Sequence, residues 1–520
     1  MAGAIIRPQP ARNGAKPAWK SNNGAPMPSQ VTEPTVKATD PEPPQGFPRL
    51  PAPALALLYL TFCLLPLALA LGARVVPLDP WERVGAALGL LGLAAMAVQF
   101  VTSGRFEVVS GRLGIDKIMA FHKVAAWWVL VGLILHPLLY VLPTWLDDPT
   151  RGQARLMAYL TLGQYRSGVV SLAALALLVA TSALRERLPA PYEVWRASHV
   201  VFGVTAAAAG LHHALAAGRF SSLGAVPVLW WGLGAALLAV MATLYGWRWW
   251  RLHARPWRLA SVEKRADRMW ELDIQPEPGT PALPYHAGQF VWMTEGARRF
   301  PLFDHPFSIA DSPRRPGLSL IVKEAGDFTN RIGALKPGTP IGIDGPYGEF
   351  TLEAHPARAV LLIAGGVGIA PIMGLLRDMA ARGDPRPVRL VYAAGDPDNF
   401  ACLPEIEAAR AQLDLQVMLL SEEAAPGWTG EVGRLDHARL RRVLQGRDPA
   451  HTVALMCGPG GMVTAVSDAL VDVGMPMRNV IYERFDYAGG AASRQDRRRS
   501  LAFLAVGGTL ALAAGIFALL

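Results

Sequence analysis

Apolar and polar positions divide the chain into distinct textures. Residues 1–50 show no apolar periodicity and are rich in Pro, Asn, Ser and Lys. Such a stretch buries too little to offset the entropy of ordering, so it reads as a disordered tail. Without the apolar core of a signal peptide, it is expected to stay in the cytoplasm. Six nearly unbroken apolar runs follow, near 54–73, 84–103, 118–142, 167–184, 196–217 and 225–249. Each is long enough, or nearly so, to cross a hydrocarbon core of roughly 30 Å at about 1.5 Å per residue. Six in succession predict a membrane all-α helical bundle over 51–252 in place of a soluble core.

From residue 256 the period changes. "RLASVEKRADRMWELDIQ" and "GLSLIVKEAG" alternate over short runs between Gly and Pro turns, which predicts an antiparallel β-barrel over 256–354. "RAVLLIAGGVGIAPIMGLLRDM" then runs strand, glycine turn, helix. "VRLVYAAG" and "HTVALMCGPGGMVTAVSDAL" repeat the alternation, which predicts a parallel α/β nucleotide-binding domain over 357–488. A last apolar run, 501–520, follows the basic "RQDRRRS", so 489–520 reads as a basic linker and a seventh span.

Charge sharpens this picture. The formal net charge is +9, but the basic residues flank apolar runs and do not form a stripe interleaved with aromatics. That pattern argues against nucleic-acid binding and for a protein embedded in membrane lipid. With the N-terminus inside, the loops carrying Arg105, Arg112, Lys117, Arg185 and Arg187 face the cytoplasm, and Arg248, Arg251, Arg255 and Arg258 follow the sixth span. The three cysteines, Cys63, Cys402 and Cys457, make no CxxC pair and exclude a four-cysteine iron–sulfur cluster built from one chain.

Five of the eleven histidines fall in the spans: His122 and His136 in the third, His199, His212 and His213 in the fifth. Fourteen steps separate His122 from His136 and His199 from His213. On a straight helix that spacing leaves two side chains roughly 40° apart in phase and about 21 Å apart along the axis. Each helix therefore presents one histidine near each membrane surface, on one face. The third and fifth spans run the same way, so His122 can face His199, and His136 can face His213 or His212. Two stacked bis-histidine sites suit b-type haem, whose iron they saturate for electron transfer. A proton relay is the rival reading, but these span interiors hold no acids to assist one. Ideal helical phase favours His213 over its neighbour.

In "FDHPFSIADSP", His305, Pro306, Phe307 and Ser308 follow an apolar run. "KEAGDFTNRI" comes next, where a Gly-Asp turn opens a short helix at Thr329, and helix N-termini favour phosphate. "GPYGEF", "AGGVGIAP" (364–371), "CGPGGM" (457–462) and "YERFDY" complete the set. Together these resemble the flavin module of the NADPH oxidase and ferric reductase family, a ferredoxin-NADP reductase-type fold with His-Pro-Phe-Ser/Thr in the flavin strand. The resemblance covers about residues 55–487 and includes a ferric-reductase-like membrane domain.

That resemblance implies FAD, two b haems and NADPH (or NADH) as cofactors. It implies FAD contacts from His305, Pro306, Phe307, Ser308, Lys323, Gly326, Asp327, Phe328 and Thr329. Gly365, Gly366, Gly368, Pro371, Cys457, Gly458, Pro459 and Gly460 would bind nicotinamide nucleotide. Ser308, Cys457 and Phe485 would attend the reacting rings, and His122, His136, His199 and His213 or His212 would hold iron. Gly395 and Asp396 stand where relatives that prefer NADPH often carry an arginine, so the NADPH preference is modest. The implied activity moves electrons from cytoplasmic NAD(P)H across a plasma (bacterial inner) membrane to an external one-electron acceptor, oxygen or a ferric or cupric chelate. A donor subunit for a periplasmic protein, a haem-free reductase tethered to the membrane and a nucleotide-sensing transporter are the alternatives. No EF-hand calcium loop is present.

Overall fold

The computed structural model describes residues 50–71, 79–103, 105–106, 109, 114–221, 223–296, 300–353, 355–484 and 493–520. Residues 1–49, Arg112 and Phe485 lie outside the described residues. Among the described residues, seven helices are long and apolar enough to cross a membrane. They are α1 (Ala52–Leu71), α2 (Pro80–Val101), α3 (Ile115–Asp147), α5 (Arg166–Ala183), α6 (Tyr192–Ala217), α7 (Val226–Met241), which continues through a π-turn into α8 (Arg248–Ala254), and α13 (Arg494–Leu519). An additional helix, α4 (Pro149–Thr161), joins α3 to α5.

Local chemistry sets several of these ends. Asp79 accepts from the Trp81 amide and Pro80 fills the first position of α2, where its missing N–H costs nothing. Asp148 caps α4 through the Thr150 and Arg151 amides. Residues 149–161 fall between the third and fourth apolar runs, and their apolar positions share one side of a helix too short to span the bilayer. The bundle core joins Cys63, Leu90, Leu91, Met96, Val129, Leu175, Trp230 and Phe517.

The terminal helix α13 is tied at both ends. Ser493 and Asp496 form a reciprocal capping box at its start. Asp496 also accepts from Tyr482 Oη at 2.8 Å and pairs with Arg484 at 2.7 Å, both on the last strand of the α/β domain. Deeper in the bundle, Phe503 packs on Phe121 and Gly507 faces Trp128. The seventh span thus anchors the nucleotide-binding lobe to the membrane bundle, a role that the sequence alone did not suggest.

The barrel comprises β1 (Trp257–Ala266), β2 (Met269–Pro276), β3 (Phe290–Glu295), β4 (His305–Ser308), β5 (Leu318–Lys323) and β6 (Pro340–Tyr347). Its order is β4-β3-β6-β1-β2-β5, all neighbours antiparallel, and an Ile309–Leu320 bridge closes the ends. The second sheet holds β7 (Ala359–Gly365), β8 (Val388–Ala394), β9 (Leu415–Ser421), β10 (Glu431–Val432), β11 (Thr452–Gly458) and β12 (Val480–Arg484). It is parallel throughout, in the order β10-β9-β8-β7-β11-β12. Helices α9 (Ile369–Arg382), α10 (Leu403–Ala409), α11 (His437–Val443) and α12 (Gly460–Asp472) complete this α/β lobe. The near-continuous apolar strands "AVLLIAG" and "TVALMCG" are buried along their whole length, as a sheet covered on both faces requires.

Candidate functional site

The chemistry-bearing residues fall into three groups. The first lies in the bundle. His122 faces His199 with ring centroids 6.4 Å apart, and His136 faces His213 at 6.5 Å. Two metal–imidazole bonds of about 2.0–2.1 Å, with roughly 1.1 Å from each nitrogen to its ring centre, span about 6.3 Å. Both pairs are spaced to hold one metal ion between them. Nδ1 is engaged in three of the four rings. His136 Nδ1 donates to the Gly85 carbonyl at 2.7 Å, His199 Nδ1 pairs with Ser182 Oγ at 3.0 Å, and His122 Nδ1 lies 3.4 Å from Thr102 Oγ1. Such contacts fix the tautomer and leave Nε2 free for a ligand. His213 Nδ1 is buried without a partner.

Glycines seat the outer pair. A Cβ on Gly89 would lie 2.7 Å from His136 Cε1, and one on Gly168 would lie 2.9 Å from His213 Nδ1. No side chain fits there without displacing an imidazole. His212 is exposed on the bundle's outer surface and is not brought to His136. Adjacent helical residues diverge by about 100°, so only one of the doublet can face inward.

The second group is the flavin strand and its neighbours. Strand β4 pairs antiparallel with β3, Phe290 opposite Ser308 and Trp292 opposite Pro306. Ser308 is buried, His305 and Phe307 are half-buried, and Pro306 is exposed. Lys323 ends β5, and Gly326, Asp327, Phe328 and Thr329 form the turn that follows it. The expected short helix at Thr329 is a 3-10 turn, Thr329–Ala334. Phe328 stacks on His305 with centroids 4.1 Å apart and planes 9° from parallel, which brings this turn onto β4.

Buried charge locks β4 to the bundle. The Asp304 carboxylate, 3% exposed, receives Arg105 at 2.9 and 2.7 Å and also Arg196, which donates to the Asp304 carbonyl at 3.0 Å. Arg196 lies three residues before His199 on α6. Arg105 stacks 3.5 Å over Trp292, and Arg248 pairs with Asp344 of β6 at 3.4 Å. Burial alone would raise the Asp304 pKa, but the two guanidinium groups outweigh it and hold the carboxyl below its ordinary range. None of these pairings was read from the sequence. The available signal was Asp304 itself, an acid beside the flavin motif with basic residues in the inward loops.

The third group lies at the carboxyl ends of β7 and β11. Strand order reverses between them, the position where open α/β sheets bind their ligands. Gly365 ends β7, Gly366 and Gly368 form a 3-10 turn, and Pro371 lies in the first turn of α9. Cys457 and Gly458 end β11, Pro459 caps α12 and Gly460 begins it. Cys457 is in register with Ala364, so the two glycine turns are neighbours. A Cβ on Gly368 would lie 2.0 Å from the Cys457 carbonyl oxygen. Gly368→Ala is therefore expected to push the turns apart, lower the melting temperature and cut NAD(P)H-driven flavin bleaching in stopped flow. Burial pushes the Cys457 thiol well above its ordinary range, so it stays protonated and offers an uncharged surface.

A helical bundle with paired intramembrane histidines, a flavin-type barrel docked on it and an α/β lobe with paired glycine turns define a membrane-bound, nicotinamide-linked flavin oxidoreductase. Family comparisons agree in each part. The model for "Ferric reductase like transmembrane component" matches residues 88–211, that for "FAD-binding domain" residues 256–351, and that for "Oxidoreductase NAD-binding domain" residues 362–468. The chain has the domain architecture of the NADPH oxidase/ferric reductase family: a multi-pass, ferric-reductase-like membrane domain followed by FAD-binding and NAD-binding oxidoreductase domains.

Among curated relatives, it is 30% identical over 187 residues to the reductase component of propane 2-monooxygenase from Rhodococcus jostii (strain RHA1), covering 34% of this chain and 50% of that one. It is 22% identical over 250 residues to a flavohemoprotein of Bacillus subtilis (strain 168), covering 46% and 60%. The chain thus spans half to three fifths of the length of these two relatives. A solved FAD/NAD-binding domain of a nitric oxide dioxygenase from Vibrio cholerae O1 biovar El Tor superposes with a TM-score of 0.39 at 18% identity, covering 44% of this chain and 98% of that one.

Proposed function

We propose that this protein carries electrons outward across a bacterial inner membrane, from cytoplasmic NAD(P)H through FAD and two b-type haems to an external one-electron acceptor. The observation that carries the reading is the pair of facing imidazole sets, at 6.4 and 6.5 Å, stacked along α3 and α6. When bound, FAD takes a two-electron hydride and gives it up as single electrons to haem iron. His122 and His199 would hold the inner haem, and His136 and His213 the outer one. A haem held by two histidines would suit electron transfer better than ligand chemistry.

The remaining residues position and exclude. His305, Pro306, Phe307, Ser308 and Lys323, with the Gly326–Thr329 turn, would hold FAD. Gly365, Gly366, Gly368, Pro371, Gly458, Pro459 and Gly460 would cradle the nucleotide, and buried Cys457 would offer it a neutral thiol. By the family resemblance, Phe485 would attend the flavin ring. Flavin and nucleotide domains lie on the cytoplasmic side, beside the basic ends of the spans.

Oxygen, giving superoxide, and ferric or cupric chelates are the acceptor classes that fit outer-sphere transfer from a saturated haem. The test is turnover of the purified protein with added FAD and either NADPH or NADH, following superoxide, ferric-chelate reduction and haem reduction together. Haem reduction that precedes acceptor reduction supports the reading. Acceptor reduction with no haem signal counts against it.

A further inference from the structure

The first turns of α6 carry Tyr192, Trp195 and His199, spaced i, i+3 and i+7. That spacing places the three rings on one face of the helix. Their neighbours extend the row in both directions. Tyr192 lies 5.7 Å from His305 of β4, with planes 39° apart, and 5.7 Å from Trp195. Trp195 lies 5.6 Å from His199, which faces His122 at 6.4 Å. On the barrel side His305 stacks on Phe328 at 4.1 Å, and Phe328 lies 6.2 Å from Phe307. Six rings in unbroken contact thus run from the flavin strand to the inner histidine pair.

Two further features hold this row in place. Arg196 and Glu193 flank its rings on the same helix. Arg196 holds the Asp304 carboxylate, and Glu193 Oε1 lies 3.5 Å from His305 Nε2, so β4 cannot slide along α6 without breaking both. Arg185 covers the free face of Trp195 at 5.6 Å. The Trp195 indole N–H is buried and has no partner, so its ring is not there to satisfy a hydrogen bond within the protein.

We infer that Tyr192 and Trp195 form the electron bridge between the flavin and the inner haem. The inference rests on the proposed assignment of His122 and His199 as haem ligands. Electronic coupling between donor and acceptor falls steeply across gaps and less steeply through contiguous aromatic rings. The two side chains fill the space between β4 and His199 with π-systems. Neither ring is itself oxidised. With both groups bound, the bridge would carry one electron at a time from flavin to haem iron, and the two transfers after each hydride would release one proton to solvent.

The test uses the full-length holoprotein with Trp195→Leu, Tyr192→Leu, Trp195→Phe and Tyr192→Phe. Four quantities are measured: haem content, midpoint potentials, flavin bleaching by NADPH and the subsequent haem reduction. The leucine variants should keep unmutated haem content, potentials and flavin bleaching while haem reduction slows by about tenfold or more, a loss confined to the transfer step. The phenylalanine variants, which keep a ring, should stay within about threefold of the unmutated rate. Should a leucine variant lose haem, Trp195→Met supplies a second saturated side chain under the same criterion.

Haem reduction at the unmutated rate in the leucine variants overturns the inference. So does a phenylalanine variant as slow as its leucine counterpart, or a slowing fully accounted for by a shifted midpoint potential. A missing b-type spectrum in the unmutated protein would instead overturn the haem assignment beneath it, a separate and recognisable failure.

Discussion

His122→Leu is expected to leave a single b-type haem, to preserve flavin bleaching by NAD(P)H and to lower reduction of any external acceptor by at least about 100-fold. Loss of a contact merely behind a metal ligand typically costs 10–100-fold, and a missing ligand costs more. His122 belongs to the pair reached from the flavin strand through His199, so its loss breaks the chain before the outer site. His136→Leu should differ in kind. The outer haem is lost, yet NAD(P)H still reduces the inner one, because the inner pair and its contact with the barrel are intact. His212→Leu should change neither spectrum, since that ring faces outward. Difference spectra of the three variants, recorded anaerobically with NADPH, check the order directly.

Asp304→Ala is expected to be the most damaging change outside the histidines. It leaves Arg105 and Arg196 buried against the barrel without their shared carboxylate. Breaking a buried pair in this way costs about 3–5 kcal/mol, because the remaining charges are desolvated and uncompensated. The effect should appear as a lower melting temperature and as flavin that is reduced but passes electrons to haem slowly. Combining Asp304→Ala with Arg196→Met should recover part of the loss, which a double-mutant cycle would measure.

The pH dependence has a definite sign. The Asp304 carboxyl is held below its ordinary range in the folded protein. Its contribution is therefore complete above the unfolded carboxylate pKa and is lost as pH falls through the lower folded value. Docking of the barrel should thus be insensitive to pH near neutrality and weaken only in acid.

Much of this architecture was legible because the relevant signals are periodic. Runs of apolar residues near the length of a bilayer marked the spans, and the strand–glycine–helix rhythm after residue 358 marked the α/β lobe. The fourteen-residue spacing within α3 and α6 paired the histidines by helical phase alone, and the same phase preferred His213 to His212. Contacts between residues distant in sequence carry no such period. Asp304 meets Arg196 across 108 positions and Arg105 across 199, and no local pattern announces either. The terminal helix was recognisable as a span, but its attachment through Asp496 to β12 depends on where the lobe sits. Tyr192 and Trp195 lie at helical spacing from His199 but carry no motif of their own. Their meaning depended on His305, which approaches them only when the barrel docks. Local order is written in the sequence, whereas the joints between modules appear only in three dimensions.

The central claim is that four intramembrane histidines hold two haems in one chain. Haem stoichiometry measures it most directly, as pyridine haemochrome per mole of purified, cofactor-replete protein. The account predicts two b-type haems per chain, falling to one in His122→Leu and in His136→Leu. A value near zero, or one haem that survives both substitutions, would contradict it.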